Sequence, residues 1–223
     1  MVKSAATMAD VAERAGVAAS TVSHVARLVE HLGALGHSRS ALVSGLRGIP
    51  TTEERVAGYE LGLDRAGLRR NRELIVSGKS AAGPAERAVG ELLGHKDAPT
   101  AIVSGNNYMT IGVLRALRGR GMRVPDDMAV VAYDDLEFAD VFQPRLTVVA
   151  QPVAQIASKA VELLIRRMAD KDGTREPQRV QLPGVFVHRE SCGCVVKGTS
   201  PRSLTAPGAK GGGRRGRGAG SAL

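Results

Sequence analysis

From Ser40 onward, short β-branched runs alternate with longer amphipathic stretches. Consecutive strands with a helix between them lie parallel, because a crossover of a dozen or more residues is needed to return the chain to the same end of the sheet. That order points to an α/β fold with a parallel sheet covered by helices on both sides. Strands are expected at residues 41–44, 74–76, 101–104 and 128–132, with two short ones at 178–182 and 185–188. Thr51 and Glu54 stand as a capping box for a helix whose buried face carries Val56, Tyr59 and Leu63. A later helix spaces Ile111, Leu114 and Leu117 for burial. Residues 153–168 repeat apolar side chains at 153, 156, 157, 160, 161, 164 and 165, a broad stripe that reads as buried. Gly78, Lys79 and Ser80 lie between a strand and a helix, but a phosphate-binding loop needs a second glycine five positions earlier, where Glu73 stands. Lys79 therefore reads as a solvated loop residue.

Ahead of this pattern, TMADVAERAGVAASTVSHV over residues 7–25 reads as a helix-turn-helix. Thr7 and Asp10 cap a first helix with Val11, Ala12 and Ala15 on its inner stripe, and Gly16 ends it because glycine takes a positive φ without steric cost. A second helix starts near Ala19. Its Val22 and Val25 are expected to face back onto Val11 and Ala15, leaving Ala19, Ser20, Ser23 and His24 on a small polar outer face suited to a DNA groove. Residues 26–37, ARLVEHLGALGH, then continue in helical register with Leu28, Leu32 and Leu35 on one face.

DVAERAGV followed by STVSHV resembles the opening of the LacI/GalR family of bacterial transcriptional repressors. ERVAGY, AIVSGNNYMTIGVLRAL, RVPDDMAVVAYDDLEFADVFQPRLTVVAQP and VHRESCG are similar to later stretches of the same family. The resemblance implies an N-terminal helix-turn-helix over residues 1–26, then a partial periplasmic-binding-protein-like parallel-sheet domain for effector binding and dimerisation over 27–194; the Gly-, Pro-, Ser- and Arg-rich composition of residues 195–223 points to a disordered basic tail. The resemblance also implies an internally shortened chain, without the hinge and most of the N-terminal sensor half on which helix 153–168 would rest. That helix must then find another partner or stay exposed. The implied partners are double-stranded DNA, a sugar or related polyol effector, and a second copy of the chain.

Carried over position by position, Ala19, Ser20 and His24 would face bases, with Thr21 and Ser23 on the DNA backbone. Arg55, Asn106 and Asp134 would hold the effector. A fork of donors, an amide and an ionised acceptor suit neighbouring hydroxyls. Taken alone, the same three residues read equally well as a helix-surface arginine, a turn asparagine and a helix-capping aspartate. The second reading of the whole chain is a small-molecule-binding or oligomerisation module that no longer binds DNA specifically.

Six of the nine net positive charges lie after Glu190, on Lys197, Arg202, Lys210, Arg214, Arg215 and Arg217, so non-specific attraction to nucleic acid should come mainly from the tail. Cys192 and Cys194, with His188 as the near histidine, fall short of four zinc ligands and read as reduced thiols without a metal. No cofactor is expected. No apolar run approaches the roughly 18 residues of a membrane span, and no signal-peptide core opens the chain, so a cytoplasmic protein is expected. Adjacent Asp134 and Asp135 should point in different directions, unlike a glycosidase pair, and no other catalytic motif is present, so an enzyme is not expected.

Overall fold

Strand β1 (Ser40–Ser44) is buried along its whole length and pairs in parallel with β2 (Ile75–Ser77) on one side and β3 (Ala101–Ser104) on the other. Strands β4 (Ala129–Tyr133) and β5 (Thr147–Ala150) extend the sheet in parallel, and β6 (Val185–Val187) closes it antiparallel to β5. The computed structural model describes residues 19–135, 137, 139–170, 178 and 180–194. The first strands match the predicted positions within a residue. The strand expected at 178–182 does not form among its described residues, and β5 was not among those expected.

Side-chain alternation divides the core in two. Leu42, Ala101, Val103, Ala129 and Val131 face helices α1 (Ala19–Ala34) and α2 (Pro50–Arg65), whereas Val43, Ile102 and Val130 face α3 (Ala82–Leu92) and α4 (Asn107–Gly119). A parallel sheet covered on both sides is thus what the alternation predicted.

Two local expectations are corrected. Pro50 occupies the start of α2, where its fixed φ suits the first turn, so Ile49 is the cap and the Thr51–Glu54 box does not form. Glu53 turns back instead, its Oε1 accepting from the Gly48 amide at 2.9 Å, while Glu54 is buried. On α4 the buried residues are Met109, Thr110, Gly112, Val113, Ala116 and Leu117, and Ile111 and Leu114 are only half-buried. Gly112 explains the rotation: a Cβ there would stand 2.8 Å from Ala85 Cβ, so the bare backbone sets the contact with α3.

The largest correction concerns α1. It is one 16-residue helix that runs through residue 26, in keeping with the helical register expected for residues 26–37. Residues before 19 lie outside the described residues, and with them the first helix and turn of the expected helix-turn-helix. Val22 and Val25 are buried against α2, close to Gly58, and share a stripe with Val29 and Leu32. His24, expected on the outer face, is 8% exposed, and its Nε2 accepts from the Gly184 amide at 3.1 Å. The physical reason is the stripe's length: positions 22, 25, 29 and 32 keep helical spacing through the whole helix, and the sheet body offers it a larger apolar surface than a short hairpin would.

Burial, assisted by the Arg27 charge, holds His24 below its ordinary value of 6.5, and burial likewise lowers His37 and His188. A histidine depressed in the folded state binds fewer protons there than in the unfolded chain, so its contribution is complete above about pH 6.5 and is lost as pH falls through the folded value. Melting temperature should fall between pH 7.5 and 5.5, and His24→Gln should flatten that fall. The variant also loses a hydrogen bond worth about 1 kcal/mol, roughly 2–4 °C at neutral pH. An unchanged pH slope in the variant would remove His24 from this account.

Helix α5 (Val153–Met168) forms where expected but buries no residue. Leu164, Ile165 and Met168 are 58%, 61% and 75% exposed, so the stripe read as buried is an open apolar face. Among the described residues no helix is long and apolar enough to cross a membrane.

Candidate functional site

The carboxyl ends of β1, β3, β4 and β5 lie along one edge of the sheet, the edge where open α/β sheets receive small molecules. Arg55, one turn into α2, lays its guanidinium over the Tyr133 ring at the end of β4, 4.5 Å from the ring centre. Its Nε is buried without a hydrogen-bond partner. Gly105, at the end of β3, lies close by: a Cβ there would stand 3.9 Å from Arg55 Cδ and only 2.8 Å from the Val43 carbonyl. Asn106 follows and caps α4, its Oδ1 accepting from the Met109 amide at 2.8 Å, which leaves its NH₂ for other partners. Asn107 Oδ1 is a second buried atom without a partner beside it.

Asp134 leaves β4 with φ of +78°, a left-handed conformation in which aspartate is tolerated because its short side chain bonds locally. Its amide donates to the Val149 carbonyl and its carboxylate accepts from Gln151 Nε2. Asp135 turns away and forms a two-pronged ion pair with Arg189, both bonds at 2.9 Å, so the two carboxylates do not face one another. Burial pushes the Tyr133 phenol up, against the lowering effects of the Thr21 hydroxyl and of Arg55. A cleft of about 440 Å³ opens beside this edge, lined by Thr21, His24, Tyr133, Gln151, Ile156 and Leu163.

The sequence-predicted residues therefore separate. Arg55, Asn106 and Asp134 sit on the sheet's carboxyl edge around Tyr133 and Gly105. Of the residues assigned to DNA, Thr21 and His24 line the cleft, Ser23 is half-buried, and the side chains of Ala19 and Ser20 lie outside the described residues. Tyr133 and Asn107, at strand ends, and Gln151 receive no effector role from the sequence. Tyr133 and Gln151 flank Asp134 at strand ends, a placement that the β4 pattern and the AQP turn could have signalled.

A second cluster lies behind α1. His31, Cys192 and Cys194 bring one nitrogen and two sulfurs within 4.8 Å of one another. Burial pushes the Cys192 thiol up, but polar contacts with His31, Cys194 and Thr147 outweigh it and bring it to about 6. Burial and the neighbouring Cys192 sulfur raise Cys194 to about 11. The two sulfurs thus pull in opposite directions, Cys192 being the easier of the pair to ionise. His31 escaped the sequence because it stands far from the cysteines along the chain.

Residues 29–192 match the family described as periplasmic binding protein-like domain. The HTH-type transcriptional repressor PurR of Vibrio atlanticus (strain LGP32) is 34% identical over 137 residues, 61% of this chain and 41% of that protein. The Escherichia coli transcriptional repressor ascG superposes with a TM-score of 0.66 at 31% identity, over 77% of this chain and 62% of its own. A complex of the transcriptional regulator CelR with cellobiose superposes with a TM-score of 0.68 at 32% identity, over 77% and 51%. The chain belongs to the periplasmic-binding-protein-like family, in its LacI/GalR branch. It spans less than half the length of the PurR relative.

Proposed function

We propose that this chain is a transcriptional regulator of the repressor kind, whose sheet body binds a small polyhydroxyl effector and whose N-terminal residues contact double-stranded DNA. The observation that supports the reading is the pair of buried polar atoms without partners near the carboxyl edge, Arg55 Nε beside Tyr133 and Asn107 Oδ1 at the start of α4. Buried polar atoms without partners are costly, and a hydroxyl-rich ligand would supply both a donor and an acceptor. CelR, similar over most of the body, is a regulator solved with a sugar. Ala19, Ser20 and Ser23 remain the proposed DNA contacts, and Thr21, which lines the cleft beside Tyr133, is left out of them. His24, bonded to Gly184, is left out of that set. The protein acts as a homodimer, a reading supported by the apolar face that α5 leaves open.

Calorimetric titration of the full chain with cellobiose and other sugars, beside gel shifts at two salt concentrations, tests the proposal. Saturable heat with at least one sugar and a sequence preference that survives the higher salt are expected. No heat with any sugar, together with DNA retention that disappears when residues 195–223 are deleted, would reduce DNA binding to non-specific attraction by the tail and overturn the reading.

A further inference from the structure

The segment after β6 returns to the body and brings Cys192 and Cys194 beside α1. Gly193, with φ of +81°, sits between them, and this left-handed turn aims both thiols to one side, with their sulfurs 2.9 Å apart. The His31 ring is held in place by its neighbours, stacked on His188 at 4.7 Å between centroids and meeting Phe186 edge-on at 5.3 Å. Its Nε2 is buried and has no hydrogen-bond partner. Cys192 is fully buried and anchored by Thr147 Oγ1 at 3.2 Å, whereas Cys194 is half-buried.

We propose that His31, Cys192 and Cys194 form a binding site for a thiophilic cation, Zn²⁺ or Cu⁺. Two thiolates and an imidazole are the soft and borderline donors that select these ions, and three protein ligands leave a fourth position for water or an outside ligand. Sulfurs held about 2.3 Å from one tetrahedral ion stand roughly 3.8 Å apart, so the pair must open. Gly193 permits this: it is exposed, and a Cβ there would meet nothing nearer than Pro125 at 3.6 Å. Binding exchanges the protons that the two thiols still carry, released to solvent, for metal–sulfur bonds, with no change of oxidation state. The cation supplies the buried imidazole nitrogen with a partner. The bound ion would tie α1 to the segment after β6.

The test uses the full chain, reduced and stripped of metal by a chelator. One equivalent of Co²⁺ should produce a sulfur-to-cobalt charge-transfer band and the intense visible bands of tetrahedral cobalt, both erased by Zn²⁺. Competition against a Cu⁺-specific chelator tells which ion binds more tightly. Cys194→Ser and His31→Gln should each weaken binding about 100-fold while circular dichroism shows an unchanged fold, and metal should raise the melting temperature only of the parent chain. Absence of the charge-transfer band, or its persistence in Cys194→Ser, would overturn the proposal. So would protein isolated two hydrogens light that takes up no metal after reduction, which would make the pair a redox disulfide.

Discussion

Replacing Gly58 and Gly62 together by alanine is expected to lower the stability of the chain by about 3 kcal/mol, roughly 10 °C in melting temperature. On an exposed helix the same change would be favourable, since alanine is the better helix former by about 1 kcal/mol per position. Here the sign reverses. A Cβ on Gly58 would stand 2.6 Å from the Val22 carbonyl, and one on Gly62 would stand 2.6 Å from Val29 Cβ and 2.7 Å from the Ala26 carbonyl. Two of these neighbours are backbone atoms of α1 and cannot swing aside, so the two helices would have to part along a face that buries Val25, Val29 and Leu32. Thermal melting followed by circular dichroism reads the effect. Stabilisation by the double substitution would mean that α1 does not pack on α2 and that Val22 and Val25 are free to serve a separate DNA-reading unit.

Asp134→Asn is expected to weaken sugar binding about 100-fold, equivalent to about 2.7 kcal/mol, with little change in stability. Asparagine keeps the shape and accepts the left-handed backbone that Asp134 adopts, so the change removes the ionised acceptor and little else. Hydrogen bonds to a charged group are worth about 1.5–3 kcal/mol, about twice those between neutral partners, and neighbouring hydroxyls of a sugar can each donate to one carboxylate. Asp135→Asn is the control. Its carboxylate is engaged by Arg189 and points away, so sugar affinity should stay within a factor of two while the ion pair is lost. Equal losses in the two variants would mean that the β4 end tolerates no change there and that Asp134 has no special place in recognition.

Much of this body is legible from residue order. The short, nearly unbroken apolar runs AIVS and AVVAY, bounded by amphipathic helices, mark the strands and the two-sided core, because a strand buried on both faces reads as a continuous hydrophobic run. The Asn106 and Asp134 placements follow from the same reasoning, since Asp134 directly follows β4 and Asn106 stands two residues beyond β3. What the residue order leaves ambiguous is which surface a stripe meets. Val22 and Val25 have the right spacing for a helical hairpin and for the sheet body alike, and only the continuous packing on Gly58 and Gly62 decides between them. Helix α5 makes the opposite point: its periodicity is unmistakable, yet periodicity describes an apolar face and says nothing of whether a partner covers it. His31 meeting the cysteines is a long-range contact of the kind that local spacing does not encode.

Hydrogen exchange on the full chain, with and without a sugar that gives heat in calorimetry, tests most directly where the effector sits. The account predicts slower exchange at the amides of residues 105–107 and 133–135, the strand ends that carry Asn106 and Asp134. Protection confined instead to the 640 Å³ groove around Leu114, Phe142 and Pro144 would contradict it.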